Sequence, residues 1–161
     1  MSHASVHARL VQHLTAAGIA FRQVHHAPTF TSEDSARERG EPIECGAKAL
    51  VVKADERFHL LVIPAHRKLS SKLARVALGA KQLRFATPDE LLALTGLVPG
   101  AVPPFGEPIL ALPLTADPEV GTLHPRVAFN AGSREDSVIM AATDWRTLAA
   151  PAFASIIEPA G

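Results

Sequence analysis

Residues 46 to 53 read Gly46-Ala47-Lys48-Ala49-Leu50-Val51-Val52-Lys53, a short apolar run with a charge in its interior. Side chains of a strand alternate between faces, so Lys48 shares one face with Leu50 and Val52, while Lys53 shares the other with Ala49 and Val51. Lys53 stands at the strand end beside the turn-like Ala54-Asp55-Glu56-Arg57, where an ammonium reaches water. Lys48 has no such exit. Two largely apolar faces describe a central strand covered on both sides, and an ammonium inside it needs a partner or an opening. An anionic ligand supplies that partner. The plainer alternative is a lysine stem lying along the sheet with its head in solvent.

Working outward, Arg57 to Pro64 reads as a second strand, paired to the first through the Asp55-Glu56 turn. On the N-terminal side, Val6, Leu10, Val11 and Leu14 recur at helical spacing and Gly18 is a stop, which predicts an amphipathic helix over 3–17. A strand over Ile19 to Val24 then runs into the loop His25-His26-Ala27-Pro28. Thr31 or Ser32 caps a second helix, with Glu33 and Asp34 in its first turn and Gly40 ending it after Arg39. Leu69, Leu73, Val76 and Ala77 mark a helix through Gly79. Residues 82–86 suggest a strand, and Thr87-Pro88-Asp89-Glu90 opens a helix that Gly96 closes. Strands are expected over 109–114, 126–130 and 137–141, then a last helix from Thr143 to about Ala149, with Ile156-Ile157 packing or pairing behind it. Strands interrupted by short helices predict one α+β domain over 1–161. Its sheet is expected to be curved, mixed, largely antiparallel and partly closed, with helices outside.

A chain of 161 residues, 47% of them hydrophobic, buries a core without staples. Sixteen basic and sixteen acidic residues cancel, so any contact with nucleic acid must be local. The local candidate is the stretch from Arg67 to Arg84, where Arg67, Lys68, Lys72, Arg75, Lys81 and Arg84 stand with no acidic residue among them. A solvated helix face is the ordinary meaning of such a run, and contact with a phosphate backbone the functional one. A lone cysteine, Cys45, excludes an internal disulfide and fits a reducing cytoplasm. With no basic N-terminal region leading into an apolar run, and no stretch of eighteen apolar residues, an unexported protein with no membrane partner is expected. His25 and His26 are neighbours whose side chains diverge in an extended segment, and no further ligand stands at suitable spacing. Neither metal nor cofactor is expected.

The run Gly96-Leu97-Val98-Pro99-Gly100-Ala101-Val102-Pro103-Pro104-Phe105-Gly106 is the second anomaly. Glycine lets a backbone approach a ligand, and proline fixes dihedrals and removes donors, so this composition builds a rigid loop of structural or binding character. Ahead of the second helix, Thr29 and Phe30 either serve its entry or line a pocket.

Four pieces stand in order: His26-Ala27-Pro28, Gly46-Ala47-Lys48, Gly100 to Pro104, and Asn130-Ala131-Gly132. With them the sequence resembles the superfamily that contains the YbaK proteins and the editing domain inserted in bacterial prolyl-tRNA synthetases. Its members remove wrongly attached amino acids from tRNA. The likeness runs roughly from Leu14 to Leu148. It implies that Lys48 holds the phosphate of the terminal adenosine and that the backbone of Gly100 orients the aminoacyl ester, Pro104 closing that motif. It implies a substrate pocket drawn from Thr29, Phe30, Ala101, Pro103, Asn130, Ala131, Gly132, Ser133 and Asp136, with Thr29, Ser133 or Ser137 selecting the amino acid. Arg67, Lys68, Lys72 and Arg75 would follow the tRNA backbone.

One departure stands out: synthetase-inserted members carry a histidine on the final hairpin where this chain has Ile139. The strings Phe129 to Gly132 and Asp136 to Met140 look closer to free-standing members that act on Ser- and Thr-tRNA errors. The expected activity is therefore hydrolysis of mischarged aminoacyl-tRNA in trans, on errors of the serine, threonine or alanine type. It would proceed by positioning and substrate-assisted water attack, with the tRNA acceptor end and an aminoacyl-tRNA synthetase as partners. The rivals are a non-catalytic module that binds tRNA ends or a synthetase, and a hydrolase that uses Cys45 with His25, His26 or His66.

Overall fold

The computed structural model describes residues 5–159. Its elements are α1 (Val6–Ala16), β1 (Phe21–His25), α2 (Ser32–Arg39), β2 (Ala47–Ala54), β3 (Arg57–Pro64), α3 (Ser71–Leu78) and β4 (Leu83–Phe85) in the first half. There follow α4 (Pro88–Thr95), β5 (Leu114–Ala116), β6 (Arg126–Asn130), β7 (Asp136–Ala141), α5 (Ala142–Ala149) and β8 (Ala152–Phe153). The stops read at Gly40, Gly79 and Gly96 are where α2, α3 and α4 end.

The β2–β3 hairpin is antiparallel, with Ala54 opposite Arg57 and Ala47 opposite Pro64. Asp55 turns it, and the Asp55 carboxylate accepts the backbone N–H groups of Lys81 and Gln82, which brings β4 onto the other edge of β2. The larger sheet has the order β4-β2-β3-β5-β8, its last two pairings parallel; the smaller one, β1-β7-β6, is antiparallel throughout. The α+β class and the mostly antiparallel pairing match the sequence reading. The sheet itself is divided in two and not closed, and a parallel bridge between Gly46 and Ala128 joins the halves.

Alternation along β2 sorts the core. Ala47 and Val51 face the large cluster with Leu60, Val62, Phe129 and Trp145. Val52, on the opposite face, packs with Leu61, Ile63, Ala74 and Ile156. Ile157 pairs with Leu69, so both isoleucines of the tail are used. Helix α1 begins at Val6, where Ser5 caps it by accepting the N–H of Ala8; His3 and Ala4, included in the expected helix, lie outside the described residues.

The strand expected over 109–114 is a correction. The N–H groups of Ile109 and Leu110 both reach the carbonyl of Gly106, and Leu112 bonds Leu110, so the segment is turns until β5 starts at Leu114. Pro108 and Pro113 remove ladder donors there. Ile109, Leu110 and Leu112 are buried, so their apolarity records core packing. Strand β8, only two residues long, has no periodicity to read.

The indole of Trp145 is fully buried and its Nε1–H donates to the carbonyl of Pro104 at 2.9 Å, which fastens α5 to the proline-rich segment. Trp145→Phe leaves that carbonyl buried and unpaired, and a loss of about 1–3 kcal/mol is expected in the urea-unfolding free energy.

Candidate active site

Helix α2 starts where Thr31 Oγ1 accepts the N–H of Asp34 at 3.0 Å. Ser32, Ser35 and Arg39, spaced by three and four, therefore share one helix face, and that face looks toward the outer edge of β2. Between them lies a cavity of about 280 Å3, walled by the 29–31 loop, this helix face, Ala47 to Ala49, Ala65, Pro99, Gly100, Val102, Asn130 and Arg134. It sits at the seam between the two sheets. Three of its lining side chains are cationic, Arg39, Lys48 and Arg134, and none is an aspartate, glutamate, histidine or cysteine.

Lys48 is half-buried at this cavity. Burial pushes its pKa down, the charge of Glu33 works against that shift, and no hydrogen bond or ion pair holds its ammonium among the described residues. The wall beside it is a strand edge. The carbonyl of Val51 accepts the N–H of Ala86 on the outer side of β2, and the two-residue period turns the N–H and C=O of Ala49 the same way, beyond the last rung with β4 at Val52 and Phe85.

Opposite stands a tight turn over residues 98–101, closed by the N–H of Ala101 on the carbonyl of Val98 at 3.1 Å. Pro99 at its second position and Gly100 at its third, with φ +88°, make it type II. Three successive carbonyls are tied down from one segment. Arg134 Nε donates to Pro99 at 2.8 Å, Asn130 Nδ2 to Gly100 at 2.7 Å, and the N–H of Gly132 to Ala101 at 2.9 Å. The N–H of Gly100 has no partner among the described residues.

Arg39 is 6% exposed and has no carboxylate partner among the described residues. Its Nε donates to Ser137 Oγ at 2.9 Å and its Nη2 to Asn130 Oδ1 at 3.0 Å. Burial lowers its pKa to about 10, which leaves it charged at neutral pH. Behind it, His26 Nε2 lies 2.8 Å from Ser137 Oγ while Nδ1 faces the carbonyl of Ala27. A carbonyl only accepts, so with Nδ1 donating to Ala27 in the neutral ring, Nε2 accepts from the Ser137 hydroxyl, whose longer second acceptor is Asn130 Oδ1 at 3.3 Å. On the cavity floor Ser35 Oγ donates to Thr29 Oγ1 at 2.8 Å, both residues buried. At the rim Phe30 is 76% exposed, with the Arg134 guanidinium 5.5 Å from its ring centre.

Of the residues singled out in the sequence, Thr29, Phe30, Lys48, Gly100 and Asn130 meet at this cavity. The others stand elsewhere. Ala101 contributes a carbonyl to the turn, and Pro103 and Pro104 are buried, the latter under Trp145. The Ala131 carbonyl faces His7 Nδ1 at 2.6 Å. Gly132 lets α1 approach, since a Cβ there would lie 2.7 Å from His7 N. Ser133 Oγ donates to Asp136, which also holds His25 at 2.8 Å, so His25 and His26 do diverge. Ser137 is fully buried behind Arg39, and Ile139 is buried among Cys45, Ala128 and Val24. Arg67 is bound by Glu119 and the carbonyl of Glu158, and neither it nor Lys68, Lys72 and Arg75 lines the cavity. The Cys45 thiol, raised to about 11 by burial and then by Glu41, stays protonated at neutral pH and is no nucleophile.

Three polar cavity residues, Ser35, Arg39 and Arg134, escaped the sequence reading. Arg39 looked like the solvated last residue of a helix, although its spacing from Ser32 and Ser35 carries the signal. Arg134 stands in a charged hairpin loop that resembles any exposed turn.

The fold and the cavity define a class: an α+β protein with a cationic slot at a sheet seam, whose described lining residues include no aspartate, glutamate, histidine or cysteine. The model of the aminoacyl-tRNA editing domain matches residues 26–148, and the chain belongs to that family. A multifunctional Ser/Thr-tRNA deacylase ProXp-y of Escherichia coli (strain K12) is 34% identical over 150 residues, which cover 90% of this chain and 89% of that protein. A proline–tRNA ligase of Shouchella clausii (strain KSM-K16) is 30% identical over 128 residues, 73% of this chain and 22% of the ligase. A crystal structure described as a candidate trans-editing enzyme for prolyl tRNA synthetase superposes with a TM-score of 0.83 at 24% identity, over 98% of this chain and 100% of that one, a likeness of fold.

Gly100 is held at positive φ, and a Cβ there would also lie 3.2 Å from Arg134 Nε. Gly100→Ala is expected to lower stability by about 1–3 kcal/mol, read from the thermal or urea midpoint.

Proposed function

We propose that this protein is an aminoacyl-tRNA deacylase that hydrolyses mischarged tRNA in trans. Family membership and the relative named as a Ser/Thr-tRNA deacylase support the activity. The observation that carries the chemistry is the pairing of an unbound lysine ammonium with a fixed turn across a cavity whose described lining has no cysteine, histidine or carboxylate. An ester already activated for hydrolysis needs little more than placement, and orientation contributes up to about 7–11 kcal/mol in favourable cases.

In this reading Lys48 anchors the phosphate of the terminal nucleotide and the free N–H of Gly100 polarises the ester carbonyl. Water adds to the carbonyl carbon, its proton passes through the neighbouring ribose hydroxyl to the departing ribose oxygen, and free amino acid and tRNA result. The hydroxyls of Ser35 and Thr29 suit a side chain that carries its own hydroxyl, and the small cavity also admits alanine. Lys68, Lys72 and Arg75, outside the cavity, would meet the tRNA backbone, and an aminoacyl-tRNA synthetase is the further partner, in the cytoplasm. No helix among the described residues is long and apolar enough to cross a membrane.

A panel of tRNAs mischarged with serine, threonine and alanine tests the activity. Turnover of at least one is expected; folded protein that binds them all without deacylation would be a tRNA-end module instead. Lys48→Ala is expected to reduce kcat/KM roughly 30- to 5,000-fold, the size of losing one partner of a charged hydrogen-bonded pair at about 2–5 kcal/mol. Unchanged kcat/KM in that variant would remove the anchoring role. The Michaelis constant should rise steeply between low and moderate salt, because each phosphate contact releases counterions.

A further inference from the structure

The geometry points to Arg39 as a positioning residue of the deacylation site, acting on the Gly100 turn through the side-chain amide of Asn130. This inference rests on the deacylase reading given above. A guanidinium has donors only, so it selects the end of the Asn130 amide it meets: Oδ1 turns to Arg39 at 3.0 Å, with the Ser137 hydroxyl a longer second donor at 3.3 Å, and Nδ2 is left for the Gly100 carbonyl at 2.7 Å. Arg39 is itself aimed by Ser137, which His26 backs from the other side. The relay thus runs His26, Ser137, Arg39, Asn130, Gly100, and it ends on the Gly100–Ala101 peptide, next to the Pro99–Gly100 peptide that carries the free N–H.

Burial argues against a purely packing role. A charged guanidinium with neutral partners only is costly to bury, and an apolar side chain of similar volume fills the space without that cost. Arg39 also lines the cavity, so its charge adds to that of Lys48 at the place where an anionic substrate arrives. The charge fixes the amide, the amide fixes the carbonyl, and the turn is set before substrate enters.

Asn130→Asp separates positioning from stability. The carboxylate keeps the Arg39 contact and gains an ion pair, but it points an oxygen at the Gly100 carbonyl where a donor stood. The melting temperature is expected to hold or rise while kcat falls on the order of 100-fold, the scale of a small misplacement of reacting groups. Arg39→Gln is expected to lower kcat more than it raises KM, and to add little in an Asn130→Ala background. The 1H–15N spectrum gives a readout independent of turnover: the Gly100 amide should shift or split in both Arg39→Gln and Asn130→Asp. A Gly100 resonance unmoved in Asn130→Asp, or independent multiplication of the two kcat effects, overturns the relay. If Arg39→Gln does not fold, Asn130→Asp decides by itself. If the unaltered protein deacylates no tRNA, the functional reading falls, and the Gly100 resonance still decides whether the relay exists.

Discussion

The turn over residues 98–101 is held by its carbonyls, and the rest of the site depends on that. An isolated type II turn of this kind is a soft object in water. Here three consecutive acceptors are claimed by Arg134, Asn130 and Gly132, all within five residues of one another at the end of β6 and in the loop that follows. The sheet therefore supplies the rigidity, and the proline-rich segment only has to present a backbone that fits. Trp145 on Pro104 pins the same segment a few residues on. A site with no cysteine, histidine or carboxylate among its described lining residues leans on where it puts things, and this bracing is what makes such placement reproducible.

Electrostatics follows the same economy. Arg39, Lys48 and Arg134 converge on one small cavity, and the one acidic group felt by Lys48 is Glu33 on the first turn of α2. Five of the cations elsewhere are paired with carboxylates: Arg126 and Arg22 share Glu41, Arg37 holds Asp34, Arg84 holds Glu90, and Arg67 holds Glu119. Three cations with no carboxylate partner among the described residues thus share one small cavity, in a protein whose formal charge sums to zero.

Much of this was legible in the chain itself. The lysine in an apolar strand pointed toward the cavity because an ammonium between apolar faces needs a partner or an opening, solvent being the other way out, and the capped and glycine-stopped helices announced themselves through local chemistry. The segment 109–113 misled because buried apolar residues between prolines look the same whether they form a ladder or a turn. Arg39 and Arg134 were hidden for a different reason. Each owes its position to a partner about 90 and 35 residues away in sequence respectively, Asn130 for one and Pro99 for the other, and no local pattern records such a meeting. Ser133, Asp136 and Gly132 were near the right place along the chain, but they serve the hairpin and the approach of α1.

The seam between the two sheets has an evolutionary side. Ala47, Ala65 and Val102 border the slot with methyl-bearing side chains, and none of those side chains takes part in the polar connections around it. Adding or trimming a carbon there would resize the chamber while leaving its fixed machinery alone. Descendants of one ancestral sequence can thus part ways over which residue they accept, through single apolar exchanges, with the ester-cleaving frame inherited intact.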